Sequence, residues 1–504
     1  MAATPENIVV IMTDQQRADI SAREGFDLDT TPFLDEMATG GTWFDRAYTS
    51  TPVCAPARES FLTGRFPNAT GVWANQTADK ARIDADLFDV MTAAGFETAM
   101  IGKSHSHLTA DRVDHRSPLP QRSGHEANRT DEERAFDRWQ SEELDNGPAL
   151  EPTPFPIECQ HAYRAISAAR EWLRSLQDDR FFLWLSFLEP HNPYQVPEPY
   201  FSTFPPDELP PVRAGPDALS EKGFDWEWTR HVCEERIRDT HPRADWDEQP
   251  PRMRANYFGM LRMIDDQVRR FIDLLEEEGR QEETLIVFLS DHGDFAGEYG
   301  LMRKGPGLPE ALTRIPLQFS GPGIASHSGP HPAHVSIVDL LPTLCDLVGA
   351  PIPDGVQGRS LQPVLAEADH AGIEFDSVYA EHGIGGVPFT EDNDPTIENN
   401  HSEGYGHPYD ELNSYSQSGR RCMVRSGDWK LVFDSEGEGR LYNVQSDPAE
   451  LNDRYEDPEC IDIRQQLLKE TLRRRLETQD PLPCSPAFVT KSSQSDDRTR
   501  DGDP

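Results

Sequence analysis

Four short apolar stretches constrain the fold of this chain more than any other feature. They cover residues 7–12, 96–101, 181–188 and 285–289, the second of them interrupted by Glu97 and Thr98, and polar or charged residues follow each one within two positions. Short apolar stretches of this kind are typical of strands buried in the middle of a parallel sheet. Ligands bind outside the carboxyl ends of such strands in α/β folds, so the polar residues that follow them are the first candidates for a functional site.

The residues that follow these strands carry metal-ligating and cationic groups. Asp14 ends the first stretch and is a candidate metal ligand, although a helix N-cap is an equally good interpretation from this stretch alone. Lys103 and His105 are two residues apart, and in an extended segment both would project to the same side. His191 follows the third stretch, and Asp291 follows the fourth. Solvated turns are the alternative for the lysine and the histidines.

Residues 51–64 place one cysteine, one proline and one arginine where a helix should begin. Pro56 suits the first helical turn, where its missing N–H costs nothing, and Arg58 could reach back toward Cys54. The free backbone donors and the fixed cation would favour an anion at position 54. The alternative is that Cys54 is a small buried apolar residue.

The pattern of Cys54, Pro56 and Arg58 followed by Thr63 and Gly64 resembles the signature of the type I sulfatases, in the alkaline-phosphatase-like superfamily. The resemblance implies that a formylglycine-generating enzyme oxidises Cys54 to Cα-formylglycine, whose hydrate offers a hydroxyl nucleophile. Further stretches that resemble the family occur in the same order along the chain. The catalytic residues that the resemblance implies are Cys54, Arg58, Lys103, His105, His191 and Lys304.

The same resemblance implies a divalent metal site, with Asp14, Gln15, Cys54, Asp291 and His292 as ligands. Many sulfatases have two consecutive aspartates where this chain has Asp14 and Gln15, and many have asparagine where it has His292. Calcium is the expected ion. Manganese is the alternative, because a nitrogen ligand suits manganese better than calcium.

The fold that the resemblance implies is α/β, with a large alkaline-phosphatase-like mixed sheet between layers of helices and a small C-terminal α+β subdomain. For the 504 residues we predict a catalytic domain over 1–374, a subdomain with a small antiparallel sheet and a helix over 375–484, and a disordered tail over 485–504. Polar residues 109–147 and Pro-rich residues 195–250 are expected to be insertions, the first of them a long surface loop.

The charge of the chain excludes some partners. The 89 acidic and 48 basic residues give a net charge of −41, which argues against binding to nucleic acid or to an anionic membrane. Scarce lysine and abundant acid resemble proteins of salt-accumulating halophiles. The first residues lack a secretion signal, so a cytoplasmic location is expected. The seven scattered cysteines suggest neither a zinc site nor a disulfide framework.

The predicted activity is hydrolysis of a sulfate monoester, of a carbohydrate or a small alcohol, by the formylglycine hydrate and the metal. The alternative within the same superfamily is a phosphonate or phosphate ester hydrolase, whose members share the Asp-Gln and Asp-His pairs but lack the Lys-x-His pattern of residues 103–105. A third interpretation is a non-catalytic anion-binding protein in which Cys54 stays a thiol.

Overall fold

The structure, a computed structural model, describes residues 4–119, 129–144, 147–177, 179–240, 249–366, 372–386 and 418–479. The strands within these residues are β1 (Asn7–Asp14), β2 (Thr42–Trp43), β3 (Ala47–Tyr48), β4 (Glu97–Gly102), β5 (His115–Pro118), β6 (Phe181–Pro190), β7 (Thr284–Ser290), β8 (Leu317–Ser320), β9 (Val335–Ser336), β10 (Ser377–Gly385), β11 (Gly419–Ser426), β12 (Trp429–Asp434) and β13 (Gly439–Asn443). The α-helices are α1 (Pro32–Thr39), α2 (Cys54–Thr63), α3 (Pro67–Thr70), α4 (Leu87–Ala93), α5 (Asp131–Trp139), α6 (His161–Ser175), α7 (Tyr200–Thr203), α8 (Phe224–Thr240), α9 (Gln249–Glu277), α10 (Glu310–Thr313), α11 (Leu340–Val348), α12 (Gln362–Ala366) and α13 (Ile461–Glu477).

A seven-stranded mixed sheet forms the centre of the molecule. Its order is β2-β8-β7-β1-β6-β4-β5. The five adjacent strands β7, β1, β6, β4 and β5 run parallel, while β8 is antiparallel to both of its neighbours, β2 and β7. The four predicted strands are β1, β4, β6 and β7, and they lie side by side in this sheet. The predicted α/β class with a large mixed sheet is therefore confirmed.

Both faces of the sheet are covered by helices. Along β1, Val9 and Ile11 pack into a cluster with α6 and α9, whereas Ile8 and Val10 pack into a second cluster with α2 and α4. Successive side chains of a strand point to opposite faces, so burial on both faces requires an unbroken apolar stretch. This double burial explains the apolar residues of β1, β6 and β7, whereas β4 begins with Glu97 and Thr98 and shows the pattern less completely.

The longest helix, α9, covers one face of the sheet with a regular apolar stripe. Ile264, Val268, Phe271 and Leu275 are completely buried, and each such side chain contributes about 1.5–3 kcal/mol by leaving water. The helix begins at Gln249, and two prolines occupy its first turn, where no N–H is needed. Within the described residues, no helix is both long and apolar enough to cross a membrane.

The C-terminal part of the chain forms a second, four-stranded antiparallel sheet in the order β10-β11-β12-β13. A small antiparallel sheet was predicted for this part of the chain. Val424, Leu431 and Leu441 of this sheet and Leu467 of α13 belong to the same apolar cluster as Ile8 of the main sheet. The small sheet therefore shares a core with the large one. The predicted boundary near residue 374 stays a prediction, and the predicted disordered tail, 485–504, lies outside the described residues.

The two predicted insertions contain more regular structure than expected. The predicted surface loop 109–147 includes β5, which adds an edge strand to the main sheet, and α5. A capping box signals the start of α5, since the Thr130 side chain accepts from the Glu133 N–H and the Glu133 side chain accepts from the Thr130 N–H. Residues 195–250 include α8, whose two faces are almost equally apolar, so periodicity does not reveal it.

Candidate active site

Two neighbouring parallel strands deliver the acidic residues of the site. β1 and β7 pair in register through Thr13 and Ser290, so the following residues, Asp14 and Asp291, emerge side by side. Both carboxylates are completely buried. The polar residues predicted to follow these strands therefore meet at one edge of the sheet.

Helix α2 brings Cys54 to the same place. Cys54 is its first residue and is fully buried, with its Sγ 3.6 Å from Asp14 Oδ1 and 3.2 Å from His292 Nε2. Asn75 Oδ1 accepts a hydrogen bond from the Ala55 N–H at 2.9 Å and so satisfies one of the free donors of the first turn. The start of the helix favours negative charge at position 54.

Four of the predicted metal ligands form a compact cluster. The ligand atoms of Asp14, Cys54, Asp291 and His292 all lie within 4.8 Å of one another. His292 Nδ1 lies 2.8 Å from the carbonyl oxygen of Gly293, which can only accept, so Nδ1 carries a proton and Nε2 faces the cluster. Carboxylate oxygens together with an imidazole nitrogen suit a divalent cation, so these residues fit a metal site.

Gln15, the fifth predicted ligand, lies beside this cluster. Its φ of 74° is in the left-handed region, which is uncommon for a residue with a Cβ atom. The Gln15 N–H donates to Asp291 Oδ1 at 3.0 Å, and the Gln15 Oε1 accepts from Lys304 Nζ at 3.0 Å. Backbone strain of this kind is typical of positions that a functional site holds in place.

Arg58 lies beneath the two carboxylates. It is completely buried, and its guanidinium donates to Asp291 Oδ2 at 2.9 Å and to Asp14 Oδ2 at 3.1 Å. The Nη1 group also donates to Ser186 Oγ at 2.8 Å. The planar guanidinium thus fixes the separation of the two acids that flank Cys54.

The charges of the site set the protonation of the acids. Lys103 Nζ lies 2.5 Å from Asp14 Oδ2. Burial opposes ionisation of Asp14, but Lys103 and Arg58 help to outweigh burial and hold the pKa of Asp14 well below its usual value. Burial and the neighbouring Asp14 raise the pKa of Asp291.

Cations also dominate the surroundings of Cys54. Burial alone would raise the pKa of its thiol, but Lys304, Lys103 and His292 outweigh burial and hold that pKa well below the usual range. Negative charge is therefore stabilised at this side chain. A centre that binds an anionic ester and bears further charge during its cleavage needs this property.

His105 lies close enough to Cys54 for the two side chains to influence each other electrostatically. The prediction of an extended segment from Lys103 to His105 is wrong, because His105 has a φ of 46° and the chain turns directly after Gly102, the end of β4. The turn nevertheless brings both side chains to the site. Burial lowers the pKa of His105, and Lys103 lowers it further, so the imidazole is neutral near pH 7.

His191 and Lys304 adjoin each other. Lys304 Nζ lies 3.5 Å from His191 Nε2, and His191 Nδ1 lies 2.7 Å from the carbonyl oxygen of Asn192. Nδ1 therefore donates to that carbonyl and leaves Nε2 as an acceptor toward the ammonium group. Lys304 is only 1% exposed, so the charge of this pair is confined to the site.

The sequence did not reveal the residues that hold this set in place. Glu59 of α2 accepts from the His107 N–H at 2.7 Å and lies 2.5 Å from His107 Nδ1, so His107, which was left out of the predicted set, supports the helix. Asp294 accepts from Gln15. Both acids lie within or next to the recognised motifs, but a motif does not reveal the partner of a side chain.

Comparison with known proteins identifies relatives over nearly the whole chain. Residues 6–350 match the family model described as Sulfatase. The chain is 26% identical to an arylsulfatase of Clostridium perfringens, over 94% of this chain and 95% of that protein. It is 27% identical to a choline-sulfatase of Rhizobium meliloti, over 91% of this chain and 84% of that protein.

The fold is similar to that of a solved phosphonate monoester hydrolase from Agrobacterium radiobacter. The TM-score is 0.76 at 22% identity, and the match covers 94% of this chain and 96% of the solved chain. At this identity the likeness concerns the fold alone.

Proposed function

The chain belongs to the sulfatase family, and we propose that it hydrolyses a sulfate monoester of a carbohydrate or a small alcohol at the site around Cys54. One observation carries the proposal. Cys54, the first residue of α2, lies within a few ångströms of the carboxylates that follow two strands. The buried cations Arg58, Lys103 and Lys304 surround this group. Such a site binds an anion and stabilises further negative charge.

We propose that Cys54 acts after oxidation to formylglycine. The residues from Cys54 to Arg58 carry the family's signature, and the cysteine is the residue that lies among the metal ligands and beside His105. Its sulfur stands in for the oxygen of the mature side chain. The hydrated aldehyde would supply a hydroxyl nucleophile, which is the activated group of a covalent mechanism.

A divalent cation would be held by Asp14, Gln15, Asp291, His292 and the side chain at position 54. When bound, it would supply positive charge and Lewis acidity to oxygen atoms at this position. Calcium is the first candidate. The His292 nitrogen favours manganese as the alternative, because imidazole is a better ligand for manganese than for calcium.

Lys304 and His191 would assist the departure of the alcohol. Because His191 Nδ1 donates to a backbone carbonyl, its Nε2 accepts from Lys304 and keeps the lysine oriented. The ammonium group can give a proton or a hydrogen bond to the ester oxygen as negative charge develops there. This assistance matters more as the pKa of the leaving alcohol rises, because its alkoxide is then a poorer leaving group.

His105 is the candidate base for the side chain at position 54. Its pKa is lowered by burial, which favours the neutral imidazole, and the ring lies near that side chain. A neutral imidazole can accept a proton from the remaining hydroxyl and so favour release of sulfate. Lys103 and Arg58 meanwhile hold the negative charge of Asp14 and Asp291 in place.

A phosphonate or phosphate ester is the second candidate substrate. The Asp14–Gln15 and Asp291–His292 pairs resemble those of phosphonate ester hydrolases. Lys103 and His105 favour the sulfate ester, because the resemblance places this pair in sulfatases and both side chains here contact Asp14 or Cys54.

The test begins with the mass of the tryptic peptide 47–58 from protein made with a formylglycine-generating enzyme. A loss of roughly 18 Da at Cys54 is the change expected for conversion of a thiol to an aldehyde, the form required for covalent catalysis. The matured protein is then assayed on 4-nitrophenyl sulfate and on 4-nitrophenyl phenylphosphonate, two esters that share the same leaving group. We expect a higher kcat/KM for the sulfate, and no activity for Cys54→Ala.

The control is Cys54→Ser made with the same maturation enzyme, which carries a hydroxyl but not an aldehyde. Full activity of Cys54→Ala would contradict the proposed nucleophile. A higher kcat/KM for the phosphonate would replace sulfate by phosphonate as the substrate. An intact thiol in spite of a competent maturation enzyme would favour a non-catalytic anion-binding protein.

A further inference from the structure

Asp294 is a buried acid that the mechanism above does not use. It lies three residues after Asp291 and is completely buried. Its Oδ2 accepts from Gln15 Nε2 at 2.5 Å and from the Tyr194 hydroxyl at 2.8 Å. Its Oδ1 accepts from the N–H groups of Ala296 at 2.7 Å and Arg303 at 2.9 Å. One carboxylate therefore joins three separate segments of the site.

The carboxylate determines which way the Gln15 amide points. An ionised carboxylate can only accept hydrogen bonds, so the amide must present its Nε2 to Asp294. Its Oε1 then faces the other way, where it accepts from Lys304 Nζ at 3.0 Å. An ammonium group can only donate, so the neighbours on both sides of the amide require the same orientation.

The same carboxylate holds the backbone next to Lys304. Arg303 has a φ of 67°, in the left-handed region, and its N–H is bound by Asp294 Oδ1. A backbone in this region needs support from its surroundings. Asp294 thus supports both partners of the hydrogen bond between Gln15 and Lys304.

We propose that Asp294 is a positioning residue, which keeps the Gln15 carbonyl oxygen directed toward Lys304 and the metal cluster. The role depends on the residue at position 15. A glutamate carboxylate there would lie against the Asp294 carboxylate, so that two acceptors would face each other with no proton between them. An amide at position 15 and an acid at position 294 therefore form a matched pair.

The alternative is that Asp294 only satisfies buried backbone donors. Asp294→Asn separates the two roles, because the asparagine oxygen can still accept from Ala296 and Arg303. Its Nδ2 would instead face the Gln15 amide, which must turn over and direct its own NH₂ group at Lys304. The change is nearly isosteric, so a purely structural role predicts a folded protein with unchanged metal binding.

The first measurement is the affinity of metal-depleted, matured protein for Mn²⁺ and for Ca²⁺ by calorimetry. For Asp294→Asn we expect a Kd ten- to a hundred-fold higher than that of the wild type, as is usual when the partner of a metal ligand is lost. The kcat/KM for 4-nitrophenyl sulfate should fall with it. The activity readout rests on the proposed function, whereas the metal affinity does not.

The decisive measurement is a rescue. Gln15→Glu alone should also weaken metal binding, because it places two carboxylates together. In the double variant Gln15→Glu/Asp294→Asn, the asparagine NH₂ can donate to the new carboxylate, whose second oxygen faces Lys304. We expect the double variant to bind the metal better than either single variant, since residues in one hydrogen-bond network do not act additively.

Tyr194→Phe is the matched control. It removes the other donor to Asp294 Oδ2 and one of the two acceptors of the Arg303 N–H, but it leaves the Gln15 amide and the bond from Arg303 to Asp294 in place. The metal Kd should therefore stay within about two-fold of the wild type, because the orientation of the ligand is kept. The inference is overturned by an unchanged Kd for Asp294→Asn, or by losses that simply add in the double variant. If Asp294→Asn does not fold, the double variant decides, and its failure to fold overturns the pairing.

The outcomes separate this inference from the proposed function. If the wild-type protein binds the metal and the rescue holds, but no sulfate ester is cleaved by protein with a verified aldehyde, the proposed function fails and the positioning role stands. If sulfate esters are cleaved and Asp294→Asn has no effect on metal affinity, only the inference fails.

Discussion

At the scale of single residues, the site depends on backbone conformations that side chains rarely adopt. Gln15, His105 and Arg303 all have positive φ values, of 74°, 46° and 67°. Each of them lies in a loop that directly follows a strand or leads to Lys304. The strain of such positions is retained only where the surrounding structure fixes them, and here it directs amide and imidazole groups into one small volume.

Lys304→Ala should separate substrates by the basicity of their alcohol. We expect kcat/KM for an alkyl sulfate to fall by about 10²–10⁴-fold, the usual contribution of a general acid, because an alkoxide leaves poorly without a proton. The fall should be much smaller for 4-nitrophenyl sulfate, whose phenolate leaves unaided. The measurement is kcat/KM for both esters in matured protein.

Lys80→Ala is the control, because Lys80 is an exposed lysine outside the site. It should leave both esters unaffected. Equal losses for the two esters in Lys304→Ala would mean that Lys304 binds the sulfate group instead of assisting the alcohol, which would contradict the assignment.

Much of the site could be predicted because its residues follow buried strands or begin a helix. Asp14, Asp291 and Cys54 are placed by such local rules. The predicted ligands and cations do converge, but the roles of Asp294, Ser186 and Glu59 could not be predicted. Their partners belong to segments far away in the chain, and only the packing of those segments brings the groups together.

At the scale of single elements, helix α2 is held by a histidine between two acids. His107 Nε2 lies 2.8 Å from Asp86 Oδ2, and Nδ1 lies 2.5 Å from Glu59 Oε2. Asp86 in turn caps the start of α4 by accepting from the backbone of Phe88 and Asp89. The loop after β4 is thereby joined to the helix that carries Cys54.

This contact should make stability depend on pH. Burial lowers the pKa of His107, but hydrogen bonds to Asp86 and Glu59 outweigh burial and raise it from 6.5 to about 9. Because the folded-state pKa is raised, the stabilisation is complete below about pH 6.5 and is lost as the pH rises through 9. The full contribution is at most about 3 kcal/mol.

The measurement compares wild type with His107→Gln in chemical denaturation between pH 6 and pH 10. The variant should be less stable than the wild type at pH 6, and the difference should shrink as the pH rises, because the neutral glutamine lacks the titrating charge. A constant difference across this range would show that the charge of His107 does not support α2.

At the scale of the whole molecule, a buried ion-pair network joins the small C-terminal sheet to α10 and to β3, which precede it in the chain. Glu310 of α10 lies 3.0 Å from Lys430 Nζ of β12 and accepts from the Tyr48 hydroxyl of β3 at 2.8 Å. Its backbone N–H donates to Glu450 Oε2 at 2.8 Å. Burial would raise the pKa of Glu310, but Lys430 and Arg425 help to outweigh burial and lower it to about 2.

Glu310→Ala should destabilise the protein by about 3–5 kcal/mol, because among the described residues it leaves the fully buried ammonium of Lys430 with Glu450 as its one acidic partner. The measurement is the denaturation midpoint. Glu436→Ala removes an exposed acid from the turn between β12 and β13 and should change stability by no more than about 0.5 kcal/mol. Equal effects of the two changes would contradict a structural role for the network.

The overall fold was predictable to the extent that burial leaves a pattern in the sequence. β1, β6 and β7 lie in the centre of the sheet and show it clearly. The two-residue strand β2 and the edge strand β5 do not, because neither is long enough or apolar enough. The helix α8 was missed for a different reason, since its 17 residues have no distinct apolar face.

The acidic composition predicts that salt will stabilise this protein. The net charge of −41 makes most pairs of surface charges repulsive. Raising KCl from 0.1 M to 1 M shortens the screening length from about 10 Å to about 3 Å, which weakens this repulsion. Surface ion pairs are weakened as well, but each contributes only about 0–1 kcal/mol. We therefore expect the Tm to rise with KCl.

The test is the slope of Tm against KCl concentration in wild type and in a variant with fewer acids. Glu456 and Glu459 are both 87% exposed in their side chains, and Glu436 and Glu438 are also exposed. Changing all four to glutamine should raise the Tm at low salt and reduce the slope, because less repulsion remains to be screened. A chloride salt is needed, since sulfate stabilises proteins by exclusion from their surface. A Tm that falls with KCl would mean that surface ion pairs stabilise the protein more than repulsion between acids destabilises it. That result would contradict the interpretation that the acidic surface is suited to concentrated salt.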